Sequence, residues 1–369
     1  MDATLLTSTA FWDDPASPMA DIPELAGHVL FETSGSTGEP KQAALSKPAL
    51  LVSAAAVNRY LGVMSESCWG LALPLNHVGG FGVAARAYQA GCCFENFNRR
   101  WDAREFRNWL EREKVTHTSL VPTQVHDLVK ANLTAPATLL AIIAGGGHLD
   151  RLTGQAARDL GWPVLASYGM TEAGSQIATQ ARDALNAPYQ SAPIPLLPIW
   201  EAEISPAGVL AIAGPALFSG YVSGGRYVAR ETSWHLTSDR VALDRGMLTP
   251  LGRADSLVKI LGELVDPEAI EHELVSLSEG KLTAGTVAVI AIPDERAGHA
   301  LVPVFESTVD PSIIQAVLSH YAGQAPGFRR LKDAAVLGKF PRSELGKLRR
   351  SELAAIYQQH LTGHRAPPA

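Results

Sequence analysis

Between residues 29 and 168, short apolar runs alternate with amphipathic stretches, and this alternation constrains the fold more than any other feature. Strands that alternate with helices form mostly parallel sheets covered on both faces. The sequence therefore predicts an α/β fold whose large N-terminal domain is built on a mostly parallel sheet. The apolar runs lie at residues 69–73, 92–94, 115–121, 139–144 and 163–166, with candidate helices at 48–61, 82–90, 103–114 (capped by Asp102) and 149–160.

The pattern changes twice after this region. From about residue 193, short β segments separated by Gly and Pro turns predict a small antiparallel β unit. Beyond Arg253, strand-like and helix-like segments mix and predict a smaller, mobile α+β domain. We therefore predict a boundary near Arg253, with one domain at residues 1–253 and another at 254–369. The first 26 residues read as an extended leader with at most a turn of helix at its start, and without chemistry of its own.

Composition narrows the classes of function and location. The formal net charge of −6 argues against nucleic acid or an anionic membrane as the main partner. The three cysteines (Cys68, Cys92 and Cys93) form neither a disulfide framework nor a metal-binding spacing, and the adjacent pair is expected in the core. No apolar run approaches the roughly 20 residues of a membrane span, and the start of the chain is acidic. We expect a cytoplasmic protein.

A loop near the front of the chain has the composition of an anion site. Residues 33–41 read Thr-Ser-Gly-Ser-Thr-Gly-Glu-Pro-Lys. Glycines let successive backbone N–H groups turn inward, and four hydroxyls and one ammonium can converge on the same volume. The spacing excludes a Walker P-loop. A flexible linker is the alternative, but the neighbouring apolar run and helix argue against it.

Seven motifs in order across residues 33–349 resemble the adenylate-forming acyl-CoA synthetase superfamily. The chain's short length and the run at residues 74–91 are most similar to the o-succinylbenzoate–CoA ligases of menaquinone synthesis. Only about thirty residues precede the loop, so we expect a truncated N-terminal AMP-binding domain in which one sheet layer is reduced or absent. The motifs lie at residues 33–41, 74–77, 168–172, 208–221, 237–239, 252–262 and 341–347.

The resemblance implies an AMP-forming carboxylate–CoA ligase that uses ATP, Mg²⁺ and coenzyme A. A carboxylate attacks the α-phosphate of ATP to give an acyl-adenylate and pyrophosphate, and a thiol then displaces AMP. The loop would hold the β- and γ-phosphates through Thr33, Ser34, Gly35, Ser36, Thr37, Gly38 and Lys41.

Other residues of the first domain take roles from the same resemblance. Glu172 would bind Mg²⁺ and Thr171 the α-phosphate, unless Glu172 is an ordinary loop carboxylate. Tyr168 would face adenine while Gly145 and Gly146 let the backbone approach it, unless all three serve packing or a plain turn. Asp239 would accept from the ribose hydroxyls, unless it caps a turn, and Arg253 is assigned to the same nucleotide site.

The smaller domain would serve both steps. Lys347 would bridge the attacking carboxylate and the α-phosphate, although charge runs such as its surroundings are usually solvated faces. Asp255 matches the hinge about which the domain turns. Lys259 and Gly262 would line the pantetheine tunnel in the second step.

Two residues bear on the acid. His77 matches a gate of the acyl pocket, or is a satisfied core histidine. Arg86 would pair with the carboxylate that is not activated, or is a solvent-facing helical arginine. The partner is thus a small carboxylic acid, and a homo-oligomer stays open. Other aryl- or fatty-acyl-CoA ligases, a carrier-loading adenylation module and a non-catalytic relative remain as alternatives.

Overall fold

The computed structural model describes residues 3–33, 41–343 and 346–363. The chain divides into two compact units, each with its own hydrophobic core. Unit 1 comprises Met1–Thr237 and Val241–Pro250, and unit 2 comprises Ser238–Arg240 and Leu251–Ala369. The sequence-based boundary at residue 253 stays a prediction.

Among the described residues, unit 1 contains helices and strands that belong to four sheets. Its helices are α1 (Thr9–Asp13), α2 (Lys47–Leu61), α3 (Val78–Ala90), α4 (Ala103–Arg112), α5 (Pro122–Lys130) and α6 (Arg151–Asp159). Its strands are β1 (His28–Thr33), β2 (Lys41–Ser46), β3 (Cys68–Leu71), β4 (Cys93–Asn96), β5 (His117–Leu120), β6 (Ala141–Ala144), β7 (Val164–Tyr168), β8 (Ala178–Thr179), β9 (Ile194–Pro195), β10 (Glu201–Ile204), β11 (Leu210–Ala213), β12 (Gly220–Ser223), β13 (Arg226–Ala229) and β14 (Trp234–Leu236). Strands β15 (Asp239–Asp244) and β16 (Met247–Arg253) contribute residues to both units.

The central sheet of unit 1 has the strand order β4-β3-β5-β6-β7-β8. Its strands run parallel from β4 to β7, and β8 is antiparallel. Strand β6 is buried along its whole length, which explains its uninterrupted apolar sequence Ala-Ile-Ile-Ala. The predicted α/β class with a mostly parallel sheet is confirmed, as is the accompaniment of smaller antiparallel sheets.

Helix ends in unit 1 follow local chemistry. The hydroxyl of Ser46 accepts from the backbone N–H of Ala49 and caps α2, and Gly62 ends that helix in the left-handed conformation. Asp102 caps α4 in the same way, as the sequence predicts. Helix α3 begins at Val78, four residues before the predicted start.

A second sheet, of order β1-β2-β12-β13, is antiparallel. Strand β2 lies between the predicted anion loop and α2, where no strand is predicted from the residue pattern. Strands β1 and β2 pair along their full length, from His28 opposite Ser46 to Thr33 opposite Lys41. The two strands therefore pair as a hairpin up to Thr33 and Lys41, the residues on either side of the undescribed residues 34–40.

The N-terminal segment packs into unit 1, contrary to the prediction of an extended leader. Trp12 is buried, donates a 2.7 Å hydrogen bond to the carbonyl of Leu6, and stacks on Tyr88 of α3 at a centroid distance of 5.3 Å. The Nζ of Lys47 donates to the carbonyls of Phe11 and Asp14, at 2.7 and 2.6 Å. This segment is thus fixed to the body of unit 1.

Unit 2 contains β17 (Val258–Ile260), β18 (Glu263–Val265), β19 (Val287–Asp294), β20 (Gly298–Glu306) and β21 (Ala335–Leu337), with helices α7 (Pro267–Leu277), α8 (Pro311–Gln324) and α9 (Arg350–Gly363). Strands β17 and β18 form a hairpin, and the other three form a sheet of order β19-β20-β21. The core packs residues of α7 and α8 against β19 and β20. Across the described part of the chain, no helix combines the length and the apolar character needed to cross a bilayer.

Candidate active site

The described residues that flank the predicted anion loop lie where β1 ends and β2 begins, opposite the open end of the hairpin at His28 and Ser46. Thr33 and Lys41 are opposite each other, and the Thr33 hydroxyl donates to the Lys41 carbonyl at 3.2 Å. Ser34, Gly35, Ser36, Thr37 and Gly38 lie outside the described residues. The hairpin fixes both ends of the loop on neighbouring strands, where their side chains can act on one ligand.

The same sheet reaches Glu172. Strand β2 pairs with β12, and Tyr221 of β12 lies opposite Ala43, two residues after Lys41. The Tyr221 hydroxyl donates a 2.9 Å hydrogen bond to Oε1 of Glu172. The carboxylate predicted to bind Mg²⁺ is thus oriented by the strand beside the loop hairpin.

Glu172 lies in a 3-10 turn, Thr171–Ala173, directly after β7. Its carbonyl accepts from the backbone N–H of Phe218 at 2.8 Å, so main chain and side chain are both held. A Cβ on Gly169 would come within 1.6 Å of the Ser175 carbonyl oxygen, which explains the glycine before the turn. Ser175 has a φ of 102°, a strained value of a kind that clusters at functional sites.

The predicted adenine contacts follow the carboxyl ends of β6 and β7. Gly145 and Gly146 come directly after β6, and Tyr168 is the last residue of β7 and half-buried. A Cβ on Gly145 would lie 2.8 Å from the Ser167 hydroxyl, and Gly146 has a φ of +77°. Both glycines are required by the turn, which leaves their adenine role as a prediction.

Arg86 is buried on α3, with 2% of its surface exposed, and is not the solvent-facing arginine of the alternative interpretation. Its Nη1 donates to the Ser119 hydroxyl at 3.2 Å and its Nη2 to that of Ser175 at 3.4 Å. The guanidinium lies 5.2 Å from the Trp69 ring centroid. Its neighbours therefore come from β3, β5 and the turn that carries Glu172.

The charge of Arg86 has no carboxylate partner among the described residues, and its Nε is buried without a hydrogen-bond acceptor there. Burial lowers the pKa of Arg86 to about 9. Buried charges in proteins are normally paired, because leaving one unpaired is costly. The surroundings of Arg86 therefore have the character of an anion receptor.

His77 precedes α3 and is partly exposed, so it is not a core histidine. It follows β3 at the same edge of the parallel sheet as Gly145 and Tyr168, where ligands of such sheets bind. Its gating role stays a prediction.

Three predicted residues of unit 2 form one ion-pair cluster. The Arg253 guanidinium makes two hydrogen bonds to Asp255, at 2.8 and 2.6 Å, and its Nη1 lies 3.3 Å from Oδ1 of Asp239. The guanidinium of Arg253 thus links Asp239, which is predicted to bind the ribose, to Asp255, which is predicted to be the hinge. Neither role is tested by this geometry.

Lys259 and Gly262 lie on the β17–β18 hairpin of unit 2. Lys259 is exposed, and Gly262 has a φ of +93° at the turn, with open space where a Cβ would be. Lys347 is exposed on a loop, not on a helix face, since α9 begins three residues later at Arg350.

The sequence reasoning did not find the residues that support these side chains. Tyr221, Ser119 and Ser175 hold Glu172 and Arg86 but lie between 33 and 89 residues from them along the chain. A signal existed for two of the three: Ser175 follows the Tyr-Gly-Met-Thr-Glu motif closely, and Tyr221 is the last residue of the motif at residues 208–221, although its contact with Glu172 was not foreseen.

Three features lie together in an α/β fold: the hairpin ends Thr33 and Lys41, the oriented carboxylate of Glu172 and the buried guanidinium of Arg86. This combination is typical of a nucleotide-dependent enzyme of the α/β class. The chain belongs to the AMP-binding enzyme family, whose model matches residues 12–222. Its curated relatives include 2-succinylbenzoate–CoA ligases.

The Geobacillus kaustophilus 2-succinylbenzoate–CoA ligase is 31% identical over 269 residues, which are 69% of this chain and 54% of that protein. A probable 2-succinylbenzoate–CoA ligase of Mycobacterium tuberculosis is 30% identical over 332 residues, 86% of this chain and 81% of that one. The chain thus spans little more than half of the first relative and most of the second.

A similar solved structure is an Escherichia coli MenE variant with bound OSB-AMS. It has 26% sequence identity and a TM-score of 0.73, and the match covers 90% of this chain and 69% of that one. The fold of the chain is therefore that of this enzyme group.

Proposed function

We propose that this chain joins 2-succinylbenzoate to coenzyme A at the expense of ATP, as a ligase of menaquinone biosynthesis. In the first step the acid's carboxylate attacks the α-phosphate of ATP, forming the acyl-adenylate and releasing pyrophosphate. In the second step the thiol of coenzyme A attacks the acyl carbon, and AMP leaves.

The observation that carries the choice of acid is the buried, unpaired guanidinium of Arg86. A dicarboxylate needs one carboxylate for activation and a cation for the other. Arg86 presents a planar fork that matches carboxylate geometry, and Ser119 and Ser175 orient it. A monocarboxylic acid would leave this charge buried and unpaired, so the receptor favours an acid with a second carboxylate.

The nucleotide roles rest on the residues around the loop hairpin. Thr33 and Lys41 frame residues that would hold the β- and γ-phosphates, and Thr171 would bond the α-phosphate. Lys347 would supply the ammonium for the first step, with Asp239 and Arg253 on the ribose side. Donors placed where charge accumulates lower the barrier between two anionic reactants.

Glu172 is the residue that fits a magnesium ion. Mg²⁺ is held by one or two carboxylates together with substrate phosphates, and would neutralise phosphate charge when bound. No cluster of three or more His, Cys, Asp or Glu side chains that could hold a metal occurs within the described ranges. Tyr221 orients the carboxylate of Glu172. A fixed carboxylate suits a magnesium ion that would take its other ligands from the phosphates of the nucleotide.

Pyrophosphate release from a panel of acids tests the proposal. We expect 2-succinylbenzoate to react far faster than benzoate or medium-chain fatty acids, and product to form with free coenzyme A. Equal rates for dicarboxylates and monoacids would contradict the choice of acid. Product formed only on the phosphopantetheine arm of a carrier protein would instead favour a carrier-loading module.

Variants at Arg86 sharpen this test. We expect Arg86→Met to lower kcat/KM for 2-succinylbenzoate about 10²-fold, the loss of a charge-assisted hydrogen-bonded pair. Benzoate should be affected little in the same variant, which controls for folding. Arg86→Lys keeps the charge but loses the planar fork of the guanidinium. Its kcat/KM for 2-succinylbenzoate should lie between the values of wild type and Arg86→Met.

A further inference from the structure

Lys347 lies on a short hairpin of unit 2, here called the lysine hairpin, whose described arms are residues 341–343 and 346–349. The backbone N–H of Ser343 donates to the Lys347 carbonyl at 2.9 Å, and that of Arg349 donates to Pro341 at 2.9 Å. Arg342 and Leu348 form an antiparallel bridge between its two arms. Glu344 and Leu345 lie outside the described residues.

The side chain of Arg342 ties this hairpin to the body of unit 2. Its Nη1 donates to the carbonyl of Gly346, the residue before Lys347, at 3.0 Å. Its Nη2 donates to the carbonyl of Gly285 at 2.5 Å and lies 3.7 Å from Oε1 of Glu306. One guanidinium thus joins the hairpin, the segment before β19 and the end of β20.

The groups that receive Arg342 are themselves fixed. Gly285 has a φ of +88°, and a Cβ there would lie 3.2 Å from Nη2, so the guanidinium fills the space beside a glycine turn. Oε1 of Glu306 also accepts from the backbone N–H of Phe340 at 3.0 Å, and Phe340 packs in a core cluster of unit 2. Through these contacts Arg342 holds the lysine hairpin against the sheet of β19 and β20.

We propose that Arg342 is a positioning residue that fixes the backbone from which Lys347 extends. The proposal rests on the role of Lys347 in the first step of the proposed function. A lysine side chain is long and flexible, so its ammonium is placed well only if its backbone is held. Misplacement by about 1 Å can cost about 10²-fold in rate, which makes such support part of catalysis.

Proteolysis by an enzyme that cleaves after lysine tests this without any substrate. We expect Arg342→Gln to speed cleavage after Lys347 about tenfold, since the variant loses two hydrogen bonds that hold the hairpin. Cleavage after Lys281 and Lys332 should not change. Arg329→Gln is the matched control, because Arg329 is a similarly half-buried arginine of unit 2 paired with Glu273 at 2.7 Å.

Half-reactions give the functional readout. Arg342→Gln should slow single-turnover pyrophosphate release with 2-succinylbenzoate about tenfold or more, with little change in the KM for ATP. Thioester formation from supplied acyl-adenylate should keep its wild-type rate. Arg342→Lys should restore part of the first rate, because an ammonium can reach one of the two carbonyls.

Three outcomes would overturn the proposal. Faster cleavage at all three lysines, or equal loss of both half-reactions, would mean that Arg342 only stabilises unit 2. Unchanged cleavage after Lys347 would mean that the hairpin does not depend on Arg342. Failure of the proposed function would show separately, as absence of pyrophosphate release by the wild-type chain with every acid, and the proteolysis result would still decide on Arg342.

Discussion

The hydroxyl of Tyr221 donates a 2.9 Å hydrogen bond to the carboxylate of Glu172, across 49 residues of chain. Burial and the neighbouring carboxylate both raise the pKa of Tyr221, so the phenol stays a donor through the neutral range. This contact joins the sheet of the loop hairpin to the turn that follows β7.

Replacing Tyr221 with Phe should therefore impair the first half-reaction. A hydrogen bond to a charged group contributes about 1.5–3 kcal/mol, and its loss leaves the Glu172 carboxylate free to rotate. We expect a higher Mg²⁺ concentration for half-maximal pyrophosphate release and at least a tenfold lower rate. Tyr227→Phe is the control: its hydroxyl donates to the Ser219 carbonyl on the same sheet and should leave both unchanged.

The buried charge of Arg86 should cost stability until an acid binds. Replacing buried charged groups with apolar residues of similar volume is often neutral or stabilising, by about 1–4 kcal/mol. We expect Arg86→Met to unfold at the same or a higher temperature than wild type without ligand. Added 2-succinylbenzoate should raise the wild-type midpoint only. A lower midpoint for the ligand-free variant would show that the arginine is a structural element instead.

His117 should make unit 1 sensitive to acid. Burial, and secondarily the charge of Arg182, lowers the pKa of His117 from 6.5 to about 4. Between these values the unfolded chain binds a proton that the native chain does not, so stability rises with pH across that window, by about 3 kcal/mol in all. Denaturant unfolding from pH 4 to 7 should show this slope reduced in His117→Gln. The exposed His320 offers a control variant, His320→Gln, that keeps the wild-type slope.

Cys68 and Cys93 should cross-link under oxidation. They lie opposite each other on the parallel strands β3 and β4, with their Sγ atoms 2.7 Å apart, and Cys93 is exposed, contrary to the expectation of a core pair. Oxidised glutathione would accept the two electrons, giving two glutathione thiols. We expect a loss of two mass units, a peptide linking both residues, and about 3 kcal/mol of added stability.

Variants decide whether that pairing is specific. Cys92→Ser should retain the cross-link and Cys93→Ser should lose it. A stable glutathione adduct on Cys93 without a cross-link would contradict the prediction.

Much of the fold could be predicted because buried strands and helix ends produce recognisable patterns within short stretches of sequence. The apolar runs of β6 and β7 and the cap of α4 by Asp102 are signals within a few residues. The start of α3 was predicted too late because its first turns contain glycines, which disfavour helix. Gly80 is present because a Cβ there would lie 2.2 Å from the Pro74 carbonyl oxygen, a tertiary constraint.

The site could be predicted only as a set of candidates. Motifs pointed to Glu172, Arg86 and Lys347, and two of the motifs also contain Tyr221 and Arg342, but they did not show that these two residues orient the others. Tyr221 and Arg342 act through contacts made by sheet pairing and hairpin closure, which no local spacing encodes. Strand β2 was missed because its sequence, Lys-Gln-Ala-Ala-Leu-Ser, lacks β-branched residues, and pairing with β1 and β12 decides its conformation.

The stacking of Trp12 on Tyr88 has a consequence for how the enzyme selects its acid. Tyr88 is two residues from Arg86 on α3, so the Trp12 ring supports the helix that carries the proposed acid receptor. Under the proposed function, removing the residues around Trp12 or fusing a bulky tag next to them should change the discrimination between acids before it reduces solubility.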